Sequence, residues 1–209
     1  MTGGGTNKTD NRNMEAKLEI RLDWLDGLDQ DEVRILDAFG GEGEIWAEID
    51  RRRPDVTIYR TGIEKKRGKG PESSTLYGDN MSFLPHVSLD VFDAIDLDSY
   101  GWPTSQLAVV AERVPEKHVF LTCGMWAAGD PSTAILESAG IPQKWGPLVP
   151  GIWSKFHVEL WDAFLADLGY RSTVRVVAPQ VKAGVMIYEH LFPVGSDGDG
   201  ALVEDDPID

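Results

Sequence analysis

Residues 33–52 read VRILDAFGGEGEIWAEIDRR. The segment 33–39 is apolar enough for a buried strand, the glycines at 40, 41 and 43 break it, and IWAEIDRR then reads as a helix that Pro54 stops. A strand that runs through a glycine turn into a helix is the repeating unit of an open α/β sheet.

The same alternation continues on either side. Leu18, Leu22, Leu25 and Leu28 recur at helical spacing ahead of the first strand and predict a leading amphipathic helix. Further strands are predicted at 56–63, 75–77, 91–97 and 118–122, with a helix over 104–114. Ile152, Phe156, Leu160, Phe164 and Leu168 share one helical face, and Gly169 is placed to cap that helix. Two β-rich runs follow, 173–178 and 184–192. Their connection is too short for a crossover, so they must pair antiparallel. The expected architecture is α/β, a mostly parallel sheet with helices on both faces that ends in one antiparallel hairpin.

With 209 residues there is enough chain for one sizeable core. A single domain over 14–194 is expected, between a disordered start at 1–13 and an acidic disordered tail at 195–209. The net charge of −15 excludes broad, non-specific attraction to phosphate backbones or anionic membranes at low salt. Molar salt shortens the Debye length to about 3 Å and removes most of that repulsion. Nine lysines beside 35 acidic residues therefore fit a halophilic host, the other reading being an acidic mesophilic protein. Cys123 is the only cysteine, so no intrachain disulfide can form. No apolar run approaches the about 18 residues of a membrane span, and the opening residues do not read as a signal peptide. A cytoplasmic protein without a membrane partner is expected, and its oligomeric state is open.

Polar residues cluster where the predicted strands end. Asp37, Phe39, Gly41 and Gly43 mark the first turn, whose backbone N–H groups can approach a ligand closely. A dinucleotide fingerprint needs a small residue where Trp46 stands, which argues against a nicotinamide cofactor. Glu64 closes the second strand at a spacing that suits a carboxylate for ribose hydroxyls. Asp79 and Asn80 follow the third strand, where they could reach an adenine edge. The fourth strand climbs through DVFDAIDLDSYGWP, residues 90–103, to Asp96 and Asp98 and breaks into Ser99, Tyr100, Gly101, Trp102 and Pro103. Carboxylates at the end of a buried strand are costly without partners.

In this order the motifs resemble those of class I S-adenosylmethionine-dependent methyltransferases over roughly residues 31–192. The resemblance implies a seven-stranded Rossmann-like sheet and S-adenosyl-L-methionine as cofactor. The cofactor's amino acid moiety would lie near Asp37 and the glycines, its ribose on Glu64 and its adenine near Asp79 and Asn80. IDLDSYGWP also resembles the D-x-D-P-[FY]-G-[ST]-P segment of tRNA guanine-N2 dimethyltransferases at Asp96, Asp98, Tyr100, Gly101 and Pro103. It departs at Ser99, where that family has proline, and at Trp102, where it has a small hydroxyl residue.

An exocyclic base amino group is a poor nucleophile because its lone pair is delocalised into the ring. A carboxylate that accepts its N–H bond, Asp98 with Asp96 as an auxiliary or positioning acid, strengthens it and can take the proton. Tyr100 can stack on a base, with Trp102 and Pro103 completing the substrate side. Asp98 could instead cap the helix that starts near Pro103.

Eight of the 20 basic residues fall between Arg51 and Lys69 and could meet a polynucleotide backbone, or form a solvated helix end and loop. His86, His118, His157 and His190 lack metal-ligand spacing, so no metal site is expected. Cys123 reads as a small buried residue. Trp145 and Trp153 flank GPLVPG, a candidate lid. The expected function is methyl transfer to a base amino group of tRNA or DNA, guanine N2 of tRNA preferred. The alternatives are a small-molecule methyltransferase and a non-catalytic binding protein of the same fold.

Overall fold

A computed structural model describes residues 13–99, 101–124, 135–136, 140, 149–180 and 184–194. The elements are α1 (Met14–Asp26), β1 (Glu32–Asp37), α2 (Glu44–Arg52), β2 (Thr57–Glu64), β3 (Thr75–Tyr77), α3 (Asn80–Phe83), β4 (Ala94–Asp98), α4 (Thr104–Arg113), β5 (His118–Gly124), α5 (Val149–Asp167), β6 (Tyr170–Gln180) and β7 (Gly184–Pro193). They form one seven-stranded sheet in the order β3-β2-β1-β4-β5-β7-β6. The first five strands are parallel, and β7 is antiparallel to both β5 and β6. The expected terminal segments lie outside the described residues, Asn13 apart.

Strand residues alternate between two cores. Val33, Ile35, Ala94, Phe120 and Tyr188 face α1 and α2, where Leu18, Ile20, Trp24, Leu25, Trp46 and Ile49 are buried. Leu36, Ile63, Ile95, Leu97, Val119 and Leu121 face the other way, against Leu107 and Val110 of α4 and Leu160, Trp161 and Phe164 of α5. Cys123 is fully buried in this second core. No described helix is long and apolar enough to cross a membrane.

Three local readings shift. β4 begins at Ala94 rather than residue 91, because Leu89–Val91 forms a single 3-10 turn before it. β6 is longer than the run 173–178, and pairs with β7 from Tyr170 to Gln180. Phe156 leaves the buried face of α5: its φ of −127° and ψ of 25° bend the helix, and its side chain is exposed. Gly169 ends α5 at φ +78°, its N–H donating to the Ala166 carbonyl. Part of the candidate lid, residues 145–148, lies outside the described residues.

The sheet also joins histidines that are 72 positions apart. His118 Nδ1 and His190 Nε2 are 2.9 Å from each other, between Trp24, Phe120 and Phe192. Burial, the His118 ring and Arg21 push His190 down to about 3. Burial and Lys117 lower His118 as well. Below the unfolded value near 6.5 the unfolded chain binds a proton that folded His190 refuses, so this group costs stability from about pH 6.5 down to about pH 3. Asp37 acts in the opposite direction, since its carboxyl is raised to about 6 and the folded state takes up its proton first as pH falls. Replacing His190 by Phe isolates the histidine. Urea unfolding from pH 6.5 to 4.5 should show wild type losing up to about 1.4 kcal/mol more per pH unit than H190F.

Candidate functional site

Parallel pairing sets the carboxyl ends of β2, β1 and β4 side by side. Gly62, Asp37 and Asp96 stand in register, so Glu64 and Asp98, two residues further along, are level across the intervening strand. Two inter-strand spacings put their backbones ~10 Å apart.

Asp96 is 1% exposed. Its Oδ1 accepts from Arg21 Nη2 at 2.7 Å, and its Oδ2 accepts from Arg21 Nε and from the Trp46 indole, both at 2.8 Å. Arg21, equally buried, lies over Phe120 and Trp46, with ring centroids 5.1 and 5.9 Å from the guanidinium carbon, and donates to the Lys17 carbonyl. Burial opposes the guanidinium charge, and Asp96 more than offsets it, so the arginine is held protonated. Both oxygens of Asp96 are thus directed at α1 and α2.

One helical turn before Arg21, Lys17 places its ammonium 2.7 Å from each oxygen of Asp98. Lys17 also lies 5.7 Å from the Tyr188 ring centroid. Asp98 therefore does not cap α4, whose first turn has no side-chain cap. Beside Asp98 in the sheet stands Thr122, whose buried Oγ1 has no hydrogen-bond partner among the described residues. The Ser99 hydroxyl, at the family's proline position, lies 3.1 Å from the Thr122 carbonyl and 3.0 Å from the Gly101 carbonyl, its one proton serving both, and so ties the loop to β5. Tyr100 lies outside the described residues. Trp102 packs against Trp161, ring centroids 5.6 Å apart, and Pro103 is buried.

The glycine turn is shaped around an arginine. Arg60 of β2 donates to Asp37 Oδ2 and to the Gly40 carbonyl. A Cβ at Gly40, Gly43 or Gly62 would approach this guanidinium to 2.9, 2.8 or 3.0 Å. Asp37 remains raised to about 6, because burial and the nearby Asp96 charge outweigh Arg60. Phe39 donates its N–H to Asp37 Oδ1, and its side chain packs against the α4 and α5 core. Gly41, at φ +48°, donates to Glu64 Oε2 at 3.1 Å, while Glu64 Oε1 accepts from the Lys66 N–H. Asp79 caps α3 through the Met81 N–H and pairs with Lys65. Asn80 donates to the Ala38 carbonyl and accepts from Gln106, which draws the end of β3 toward β1.

The arrangement is thus a row of acids and a backbone turn along the carboxyl edge of a parallel sheet, where open α/β sheets bind ligands. No protein-family model and no curated protein matches the chain by sequence. Solved structures do match. M. jannaschii TYW2 in complex with AdoMet superposes with TM-score 0.51 at 11% identity, over 91% of this chain and 80% of that one. A Listeria monocytogenes protein named as a class I S-adenosylmethionine-dependent methyltransferase gives 0.52 at 13%, over 94% and 64%. The fold is that of the class I methyltransferases. A Streptococcus thermophilus protein named as a hemolysin shares it, with TM-score 0.56 at 13% identity, over 93% of this chain and 70% of that one.

Sequence reasoning missed Lys17 and Arg21 altogether and missed Trp46 and Arg60 as partners of Asp96 and Asp37, having placed Arg60 in the basic run that could meet a polynucleotide. The available signal was a charge in an apolar context: Arg21 between Leu18 and Leu25 on the leading helix, and Arg60 inside VTIYRTGI. Replacing Arg21 by Met strands a buried carboxylate and should cost about 3–5 kcal/mol in urea unfolding. R21M combined with D96N should recover at least half of that loss, because the uncompensated charge is gone.

Proposed function

We propose that the chain is an S-adenosyl-L-methionine-dependent methyltransferase acting on an exocyclic amino group of a nucleic-acid base, guanine N2 of tRNA first among the candidates. The observation that carries this reading is the row Asp37, Glu64 and Asp98 at the carboxyl ends of β1, β2 and β4, in a fold shared with methyltransferases. The residues fit the cofactor's chemistry. Carboxylates line the edge that a cationic ligand would meet, Glu64 already orders the Gly41 turn, and Asp79 and Asn80 stand at the adenine end. When bound, S-adenosyl-L-methionine supplies an electrophilic methyl group.

The protein's part is to position the amino group and receive its proton. Asp98 is the acceptor. Asp96, with both oxygens turned toward Arg21 and Trp46, is a positioning residue that fixes the end of β4. Lys17 must release at least one Asp98 oxygen when an amino group binds there. This reading assigns the substrate side to Tyr100, Trp102 and Pro103. The acidic composition belongs to a protein that works in high salt.

A second reading, a protein that binds the cofactor without turnover, is favoured by one contact, the Lys17 ammonium on both oxygens of Asp98. Two measurements separate them. Calorimetric titration of S-adenosyl-L-methionine in molar salt should give micromolar binding that Gly41→Arg abolishes. Among the described residues a Cβ at Gly41 meets only the Phe39 carbonyl, at 3.7 Å, so the bulk projects away from the interior and the positive φ costs ~1–2 kcal/mol. No heat from wild type at low or high salt overturns the cofactor assignment. Asp98→Asn should keep cofactor affinity and lower tritiated methyl transfer onto unmodified tRNA or DNA by about 10²–10⁴-fold. Unchanged transfer removes Asp98 from the reaction, and no transfer by wild type despite cofactor binding supports the second reading.

A further inference from the structure

The basic run at 51–69 separates into two populations once its partners are known. Arg51 and Arg52 pair with Glu48, Arg52 also with Glu15, and Arg53 with Asp26 and Asp55. Arg60 is taken by Asp37, and Lys65 lies 3.2 Å from Asp79. Lys66, Arg67 and Lys69 have no ion-pair partner among the described residues, and Lys66 and Arg67 are exposed. Five of the eight cations are neutralised locally, and the remaining three are contiguous in one loop.

That loop is anchored at both ends. Lys66 donates its N–H to Glu64, the Lys69 carbonyl accepts from the Tyr77 hydroxyl, and Gly70, at φ +76°, sits so close that a Cβ would meet the Gly41 carbonyl at 3.2 Å. The loop backbone therefore stands in a fixed place beside the glycine turn, with the three charges carried on it. The loop leaves β2 after Glu64, whose backbone is level with that of Asp98 and ~10 Å from it across β1. On a protein of net charge −15, an unneutralised cationic loop at the rim of the candidate site is set apart from the rest of the surface.

We infer that Lys66, Arg67 and Lys69 form the landing surface for the phosphate backbone of a single-stranded polynucleotide whose target base enters at Asp98. The inference rests on the reading above for the site and adds the surface by which the substrate is held. Phosphates flanking the target nucleotide would meet the loop, while the paired arginines at the end of α2 contribute nothing. In the molar salt that the acidic composition fits, the Debye length is about 3 Å, so the loop acts through direct contact of its own charges and not through the net charge of the chain.

The test is fluorescence anisotropy of a labelled 20-nucleotide single-stranded RNA from 0.1 to 1 M KCl. It compares wild type with K66Q/R67Q/K69Q and with R51Q/R52Q/R53Q, which removes the same three charges from paired positions. Thermal unfolding checks that both variants are folded. With about 0.7 counterions released per phosphate on a single strand, the loop variant should lower the slope of log K against log salt by about 2, and the α2 variant should leave it unchanged. Equal effects of the two variants, or no RNA binding by wild type, overturn the inference. So does loop-dependent binding of phosphatidylserine vesicles in place of RNA. Titration of S-adenosyl-L-methionine into the same three proteins keeps the two readings apart: intact cofactor binding with loop-independent RNA affinity defeats the landing surface and leaves the methyltransferase reading standing.

Discussion

The buried pair of Arg21 and Asp96 is the constraint on which the upper edge of the sheet depends. A guanidinium and a carboxylate, each almost without solvent, satisfy one another at two points, and the Trp46 indole takes a remaining lone pair. Such a pair gains little over apolar packing but tolerates no loss of either partner. Its consequence is geometric. α1 cannot slide along the sheet without unpairing Arg21, so Lys17 one turn away is held over Asp98 and the face of β4 is fixed against α2. One interaction between residues 75 apart thus sets how Lys17 meets Asp98 on that side of the site.

A second organising element is the guanidinium of Arg60. The glycines at 40 and 43 look, in the sequence, like room left for a ligand. In the fold, the space their missing side chains would fill on the inner side is taken by an arginine from the neighbouring strand, while Gly41 faces outward with its N–H on Glu64. The turn has two sides with separate roles, an inner one that packs against Arg60 and Asp37 and an outer one that orders a carboxylate at the edge. The Asp37–Arg60 and Asp96–Arg21 pairs carry the charge of two adjacent strand ends into the interior, where burial and the neighbouring Asp96 raise the Asp37 carboxyl to about 6.

Much of the fold was legible because the signals were local. Glycine turns, proline stops and a connection too short for a crossover fix the order of strands and helices and the final hairpin, and the structure departs mainly at element ends and at Phe156. The strand-end acids were legible for a related reason: a charge that closes an apolar run has to lie at an edge. Their partners were not. Arg21, Lys17 and Arg60 meet their carboxylates across 23 to 81 positions, a distance over which neither periodicity nor spacing carries information. The pairing of His118 with His190 was hidden in the same way, since each alone is an ordinary residue of an apolar strand. The basic run was visible as composition, but its division into spent and unspent charges appears only when the helix end and the loop are placed among their neighbours.

The strand order β5-β7-β6 makes β7, the last of the described strands, an interior one. During synthesis, β6 emerges before anything lies between it and β5, and it has no correct place in the sheet until β7 has followed. The growing chain therefore carries an open parallel sheet whose edge is β5, HVFLTC, a run with a single ionisable side chain besides its cysteine and no proline. Such an edge is a template for wrong pairing between copies. It closes only when the hairpin docks as a unit, so β6 and β7 are as much a seal on a sticky margin as they are part of the core.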